Sequence, residues 1–207
     1  MTIIDKLASS LNRKDEAPNQ ELARYIAERD DKDAVKELVE HLYNRDKNIQ
    51  SDCIKVLYEI GDIKPSLIVE YSQEFVTLLD HRNNRLVWGA MTALDVITLE
   101  NPEVIYLSLA KIADIADKGS VITKDHAVNI MIKLCFVEQY ADHTFRLLIE
   151  QFERCPTNQL PMYAEKAISI INDNNKALFI KTLTSRLDDI EKDTKRKRVE
   201  KLIKKLS

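Results

Sequence analysis

Few side chains in this 207-residue chain are of types that do chemistry, and those few are dispersed. The histidines His41, His81, His126 and His143 form no HExxH motif and no pair at helical spacing, so no metal-ligand set is legible. Cys53, Cys135 and Cys155 are odd in number and widely separated, with no CxxC pair. They predict neither a disulfide framework nor a zinc knuckle, and read as reduced thiols of a cytoplasmic protein. Three glycines leave little scope for a phosphate-binding loop, and no GxSxG elbow occurs. Cys53 falls among apolar neighbours and reads as a small buried hydrophobe, not a nucleophile. No catalytic residue, metal or cofactor is expected.

What remains is recognition chemistry. Trp88 is the sole tryptophan, and exposed Trp and Tyr are enriched where a partner is anchored. Trp88 can also shield a neighbouring helix, as large aromatics usually do. The element that carries it decides between these roles. That element is Asn83–Thr98, NNRLVWGAMTALDVIT, and its pattern recurs.

Stepping 37 residues from Cys53 reaches Ala90, Ala127 and Ala164, and from Leu57 it reaches Leu94, Met131 and Ile168. Val56 leads to Ala93, Ile130 and Ala167, and Ile60 to Ile97, Leu134 and Ile171. Within each copy these positions fall at i, i+3, i+4 and i+7, one face of an α-helix. Asp46, Asn83, Ser120 and Thr157 share the spacing and are of types that cap helix N-termini. Pro65 and Pro102 punctuate two copies.

Between these capped B helices, Ala34–Tyr43, Leu67–Leu79, Glu103–Ala116 and His143–Glu153 read as A helices, with Leu38, Phe75, Ile112 and Ile149 in step. An N-terminal pair (Thr2–Leu11 and Gln20–Ala27) and a final pair (Lys176–Ile190 and Lys195–Leu206) complete ten to twelve helices. Asp5 and Lys6 interrupt the first apolar segment, so it reads as an amphipathic helix and not a signal peptide. No window approaches a membrane span.

The segments IQSDCIKVLYEIGDIKP and RLVWGAMTALDVITLENP resemble the second helices of HEAT repeats. The chain is similar to the HEAT and armadillo-like superfamily over roughly residues 34–192, and in detail to small single-domain prokaryotic HEAT proteins. It departs in the arginine usually found early in the second helix, where only Arg85 comes near. The resemblance implies an all-α, right-handed α-solenoid of about five to six two-helix repeats in a single domain. Residues 1–33 would cap its start, 34–175 form four repeats, and 176–207 close it. Such units bury their apolar faces by stacking on one another.

The resemblance also implies that B helices line a concave surface. Opposite the core stripe lie Ser51, Lys55 and Tyr58, then Trp88, Thr92 and Asp95, then Asp125, Asn129 and Ile132, then Met162, Lys166 and Ser169. The expected contact residues are Tyr58, Trp88, Thr92, Asp95, Asp125, Asn129, Met162 and Lys166. They predict a non-enzymatic scaffold for a protein or peptide. Self-association through the same apolar side chains is a further possibility. The alternative is nucleic-acid binding, because Arg85, Trp88 and Asp125 resemble the concave set of HEAT-like alkylpurine DNA glycosylases. Mixed charge along the face argues against it, since tracking phosphates needs a sustained basic stripe. The strongest basic run, eight cationic against two acidic residues in 192–207, reads as a terminal helix docked by Val199, Leu202, Ile203 and Leu206, or else as a basic tag for an acidic partner.

Overall fold

Three of the four expected caps close helix N-termini. In the computed structural model, which describes residues 2–207, the Asp46 carboxylate accepts from the Asn48 amide and the Asn83 side-chain oxygen from the Arg85 amide. The Ser120 hydroxyl accepts, at the longer distance of 3.4 Å, from the Thr123 amide. The helices that follow are α3 (Lys47–Ile63), α5 (Asn84–Ile97) and α8 (Val121–Leu134). Thr157 does not cap: α10 begins three residues later and runs Leu160–Ala167. Pro161 supplies the reason. A proline is tolerated only in the first turn, where its missing N–H has no intrahelical partner to lose.

The remaining helices are α1 (Ala17–Arg29), α2 (Lys32–Glu40), α4 (Ser72–Leu78), α6 (Pro102–Leu107), α7 (Leu109–Lys118), α9 (Glu138–Arg154), α11 (Lys176–Ser185) and α12 (Asp193–Leu206). No strand occurs among the described residues. Glu103–Ala116 is not one helix but two, because the Ser108 amide is shared between the carbonyls of Val104 and Ile105 and tightens the turn. Thr2–Leu11 forms only a 3-10 turn over Ile4–Lys6 and further turns. There the Asn19 side chain and the Asp52 carboxylate bind the amides of Ala8 and Ser9, which a helix would have used internally.

The chain divides into two units, one ending at Ala127 and one spanning Val128–Ser207. In the first, α3 lies between α1 and α5, with α2 packed on α3 and α4 on α5. The stripe of α5 (Leu86, Ala90, Ala93, Leu94 and Ile97) is wholly buried, as are Cys53, Val56, Leu57 and Ile60 of α3. Leu38, Phe75 and Ile112 of the outer helices are buried too. Gly89 of α5 lets the helices meet: a Cβ there would lie 2.4 Å from Cγ1 of Ile54 on α3.

In the second unit, α9 packs on α10 and α11, and α12 on α10 and α11. Phe152 and Phe179 meet edge to face at 5.5 Å. Ala164 and Ala167 keep the expected stripe, but Ile168 and Ile171 are only half-buried. α10 gives way to a 3-10 turn at Ile168, so the 3.6-residue register ends there. Val199 of the basic helix α12 is fully buried, and its neighbour Arg198 forms a two-pronged ion pair with Glu165 of α10. No helix among the described residues is long and apolar enough to cross a membrane.

Candidate functional site

The first unit contains an open groove of about 880 Å³. Ser51, Asp52, Lys55 and Tyr58 of α3, Arg85, Trp88 and Thr92 of α5 and the loop Asn12–Glu16 are among its walls. Helical spacing explains the first two walls. Positions 51, 55 and 58, like 88 and 92, lie within one turn or two of each other on a single face.

The third wall was not legible as such. Asn12 sits in the left-handed region at φ 55°, which asparagine tolerates better than most residues. The Arg13 amide then returns to the Ala8 carbonyl at 2.8 Å. Asp52 fastens this loop to α3: one carboxylate oxygen accepts from the Ser9 amide at 2.7 Å and the other from the Asn19 side chain at 2.8 Å.

Most charge in the groove is already committed. Arg13 pairs with Asp15 at 2.8 Å. Lys55 pairs with Glu16 at 2.9 Å and Glu59 at 2.7 Å, and its ammonium stands 4.9 Å from the Tyr58 ring centre. Burial alone would lower the Lys55 pKa, but hydrogen bonding with Glu59, Tyr58 and Glu16 outweighs it and the net direction is upward. Lys55 is therefore a permanently charged strut between walls.

Of the eight expected contact residues, Tyr58, Trp88 and Thr92 are brought together in this groove, all half-buried. Asp95 is not on the surface. It is 5% exposed, and its Oδ2 lies 2.7 Å from His126 Nδ1. The expectation of an outward Asp95 fails because α8 brings His126 over that turn of α5. Ile132, placed on the same face by register, is also buried. Asp125 is half-buried and does not line the groove. Asn129, Met162 and Lys166 belong to the second unit, where Lys166 donates to the Asn129 side-chain oxygen at 2.9 Å.

His126 also reaches Thr92, with Nε2 3.1 Å from Oγ1. Carboxylate, imidazole and hydroxyl thus stand in the order of a nucleophile relay. The setting differs from one. Thr92 lies inside α5, its Oγ1 is also 2.9 Å from the Trp88 carbonyl, and the helix ladder occupies the surrounding amides. No pair of backbone N–H groups is left there to hold an oxyanion. The relay ties α8 to α5 and fixes Thr92 in the groove wall.

A second cavity of about 470 Å³ lies in the second unit, among Cys135, Phe145, Arg146, Asn175 and Leu178. The Cys135 thiol is pushed up to about 12 by burial, which leaves it a poor nucleophile. Among the described residues no cluster of three metal-ligating side chains occurs.

Solved structures of similar fold place this architecture. A designed armadillo repeat protein in complex with the peptide (KR)4 aligns with a TM-score of 0.64 at 14% identity, over 99% of this chain and 98% of that one. Another designed armadillo repeat protein aligns at 0.62 and 14%, over the same shares. An engineered protein aligns at 0.61 and 19%, over 99% of this chain and all of that one. The chain has an all-helical repeat fold of the armadillo and HEAT kind. No protein-family model matches it, and no curated protein matches its sequence.

Proposed function

We propose that this protein is a non-enzymatic scaffold that grips a peptide, or an extended segment of a protein, along the face of α3 and α5. The observation that carries the reading is the convergence of Tyr58, Trp88 and Thr92 on one groove of about 880 Å³. Half-buried aromatics on a preformed surface supply contact area with little entropy lost on binding. One structure of similar fold is itself a peptide complex, which supports the class of partner. Cysteines that form no disulfide among the described residues fit a reducing, cytoplasmic setting.

The sole tryptophan makes the test direct. Peptides selected from a random displayed library against the immobilised protein should change Trp88 fluorescence on titration. Trp88→Ala and Tyr58→Ala should each weaken binding by about 1–2 kcal/mol or more, with smaller shifts in unfolding midpoint. If Trp88→Ala loses more stability than affinity, Trp88 is a packing residue and the groove is not the site.

A further inference from the structure

We infer that the groove of the first unit selects an acidic peptide, one carrying Asp or Glu side chains beside an apolar anchor. This rests on the peptide-binding reading above and adds the sign of the ligand's charge.

Seven charged side chains line the groove: Arg13, Lys14, Lys55 and Arg85 against Asp15, Glu16 and Asp52. Every carboxylate is engaged. Asp15 holds Arg13, Glu16 holds Lys55, and the two oxygens of Asp52 are each taken by a neutral donor, the Ser9 amide and the Asn19 side chain. Arg13 and Lys55 are the cations paired with Asp15 and Glu16, and Lys55 is shared with Glu59 as well. Lys14 and Arg85 remain, both exposed and, among the described residues, neither in an ion pair. Asp52 is held by its two neutral donors and not by a cation.

A ligand carboxylate meets two waiting cations, whereas a ligand ammonium at Asp15 or Glu16 would have to break a pair already made, and at Asp52 would compete with two hydrogen-bond donors. Breaking an existing pair leaves its other member without a partner, so the groove discriminates by penalty as well as attraction. This predicts a preference opposite to the basic peptide found with the designed armadillo protein. Phosphodiester chains also carry negative charge. Three carboxylates among the lining residues and only two free cations make a poor track for a polyanion, which gains affinity from many phosphate contacts in succession. Side-chain carboxylates spaced along a peptide suit two isolated cations better. Trp88 and Tyr58 then take the apolar anchor, and Ile122, another lining residue, adds to that surface.

The test uses four labelled probes of equal length: alternating Asp/Glu, alternating Lys/Arg and uncharged Ser/Gln peptides, each with one central Leu, and a single-stranded oligonucleotide. Binding is read by anisotropy and by Trp88 fluorescence, at low salt and at physiological salt. The acidic peptide should bind tightest and weaken as salt rises. The double variant Lys14→Glu/Arg85→Glu should weaken it about tenfold at low salt, the order expected from reversing two exposed charges. The same variant should gain affinity for the Lys/Arg peptide, which a merely destabilised protein cannot do. Equal or tighter binding of the basic or uncharged peptide, or no effect of the double variant, overturns the charge assignment while leaving the scaffold reading intact. Tightest binding by the oligonucleotide overturns it in favour of nucleic acid. If no peptide binds at all, the scaffold reading fails and this inference with it.

Discussion

His126 and Asp95 are joined at 2.7 Å between Nδ1 and Oδ2, with the carboxylate buried against α5 and the imidazole held on α8. The far side of the same imidazole reaches the Thr92 hydroxyl. A residue expected to meet a partner therefore meets a histidine of its own chain, and the groove wall lies one turn earlier, at Thr92 and Trp88.

His126→Ala removes one hydrogen bond from a buried carboxylate and another from Thr92. It should destabilise the fold by about 1–3 kcal/mol, the cost of stripping a partner from a buried polar group. Thr92→Val removes the outer link and the hydroxyl's bond to the Trp88 carbonyl, leaves the His126–Asp95 link in place, and should cost less. Urea unfolding of both variants compares them, and equal losses would show that the inner link carries no weight.

Gly89→Ala sets two effects against each other. Alanine favours the helix over glycine by about 1 kcal/mol. The added Cβ, however, would stand 2.8 Å from Ile54 Cγ2 and 3.2 Å from Ile54 Cβ. These atoms belong to a β-branched side chain with little rotamer freedom, so overpacking of about 1–3 kcal/mol should prevail. A net loss in thermal or urea unfolding is expected, partly relieved when Ile54→Ala is combined with it. A more stable Gly89→Ala protein would mean that α3 and α5 separate at little cost.

How much of this was legible in the sequence follows from the range of each signal. Helix faces depend on spacing within one segment, so the stripe of α5 and the caps at Asp46 and Asn83 read correctly. Thr157 misread because Pro161, four residues on, moved the helix start. Asp95 misread because its environment is set by His126, which lies on another helix. The loop Asn12–Glu16 was invisible as a groove wall for the same reason. Its shape depends on Asp52, and no periodicity links Asp52 to Ser9 or Asn19. Lys14 and Arg85 differ from Lys55 likewise through contacts between elements, since Glu16, which pairs with Lys55, lies on another segment.

Burial also governs the thiols. It pushes the Cys53 thiol up to about 12, with Asp52 and Glu37 acting in the same direction, and the Cys135 thiol to about 12 as well. At pH 8 only about one such thiol in ten thousand is ionised, and the thiolate is the reactive form. Ellman's reagent should label neither at a significant rate in the native protein, and should titrate all three cysteines in guanidinium. Rapid labelling of Cys53 in buffer would show that α3 opens locally.

The docking of α12 has a charge component whose pH dependence can be worked out in sign. Arg198 donates to Glu165 through Nε at 2.8 Å and through Nη2 at 2.5 Å. That hydrogen bonding holds the Glu165 carboxyl below its usual value, over a smaller opposing effect of burial. A carboxyl depressed in the folded state contributes stability that is present above its unfolded pKa of about 4.3 and is lost as pH falls through the folded value. Both partners are well exposed, 47% for the Arg198 side chain and 40% for Glu165, so solvent screens the pair and about 0.2–1 kcal/mol is expected. Arg198→Ala should cost that much at pH 7 and less at pH 3, because the pair weakens as pH falls through the depressed folded value of Glu165. Val199→Ala, which hollows the fully buried contact of the same helix, should cost about 1–3 kcal/mol at either pH. If the two variants respond alike to acid, α12 is not held by an ion pair laid over an apolar contact. Its cationic residues would then be free for a ligand instead of committed to the fold.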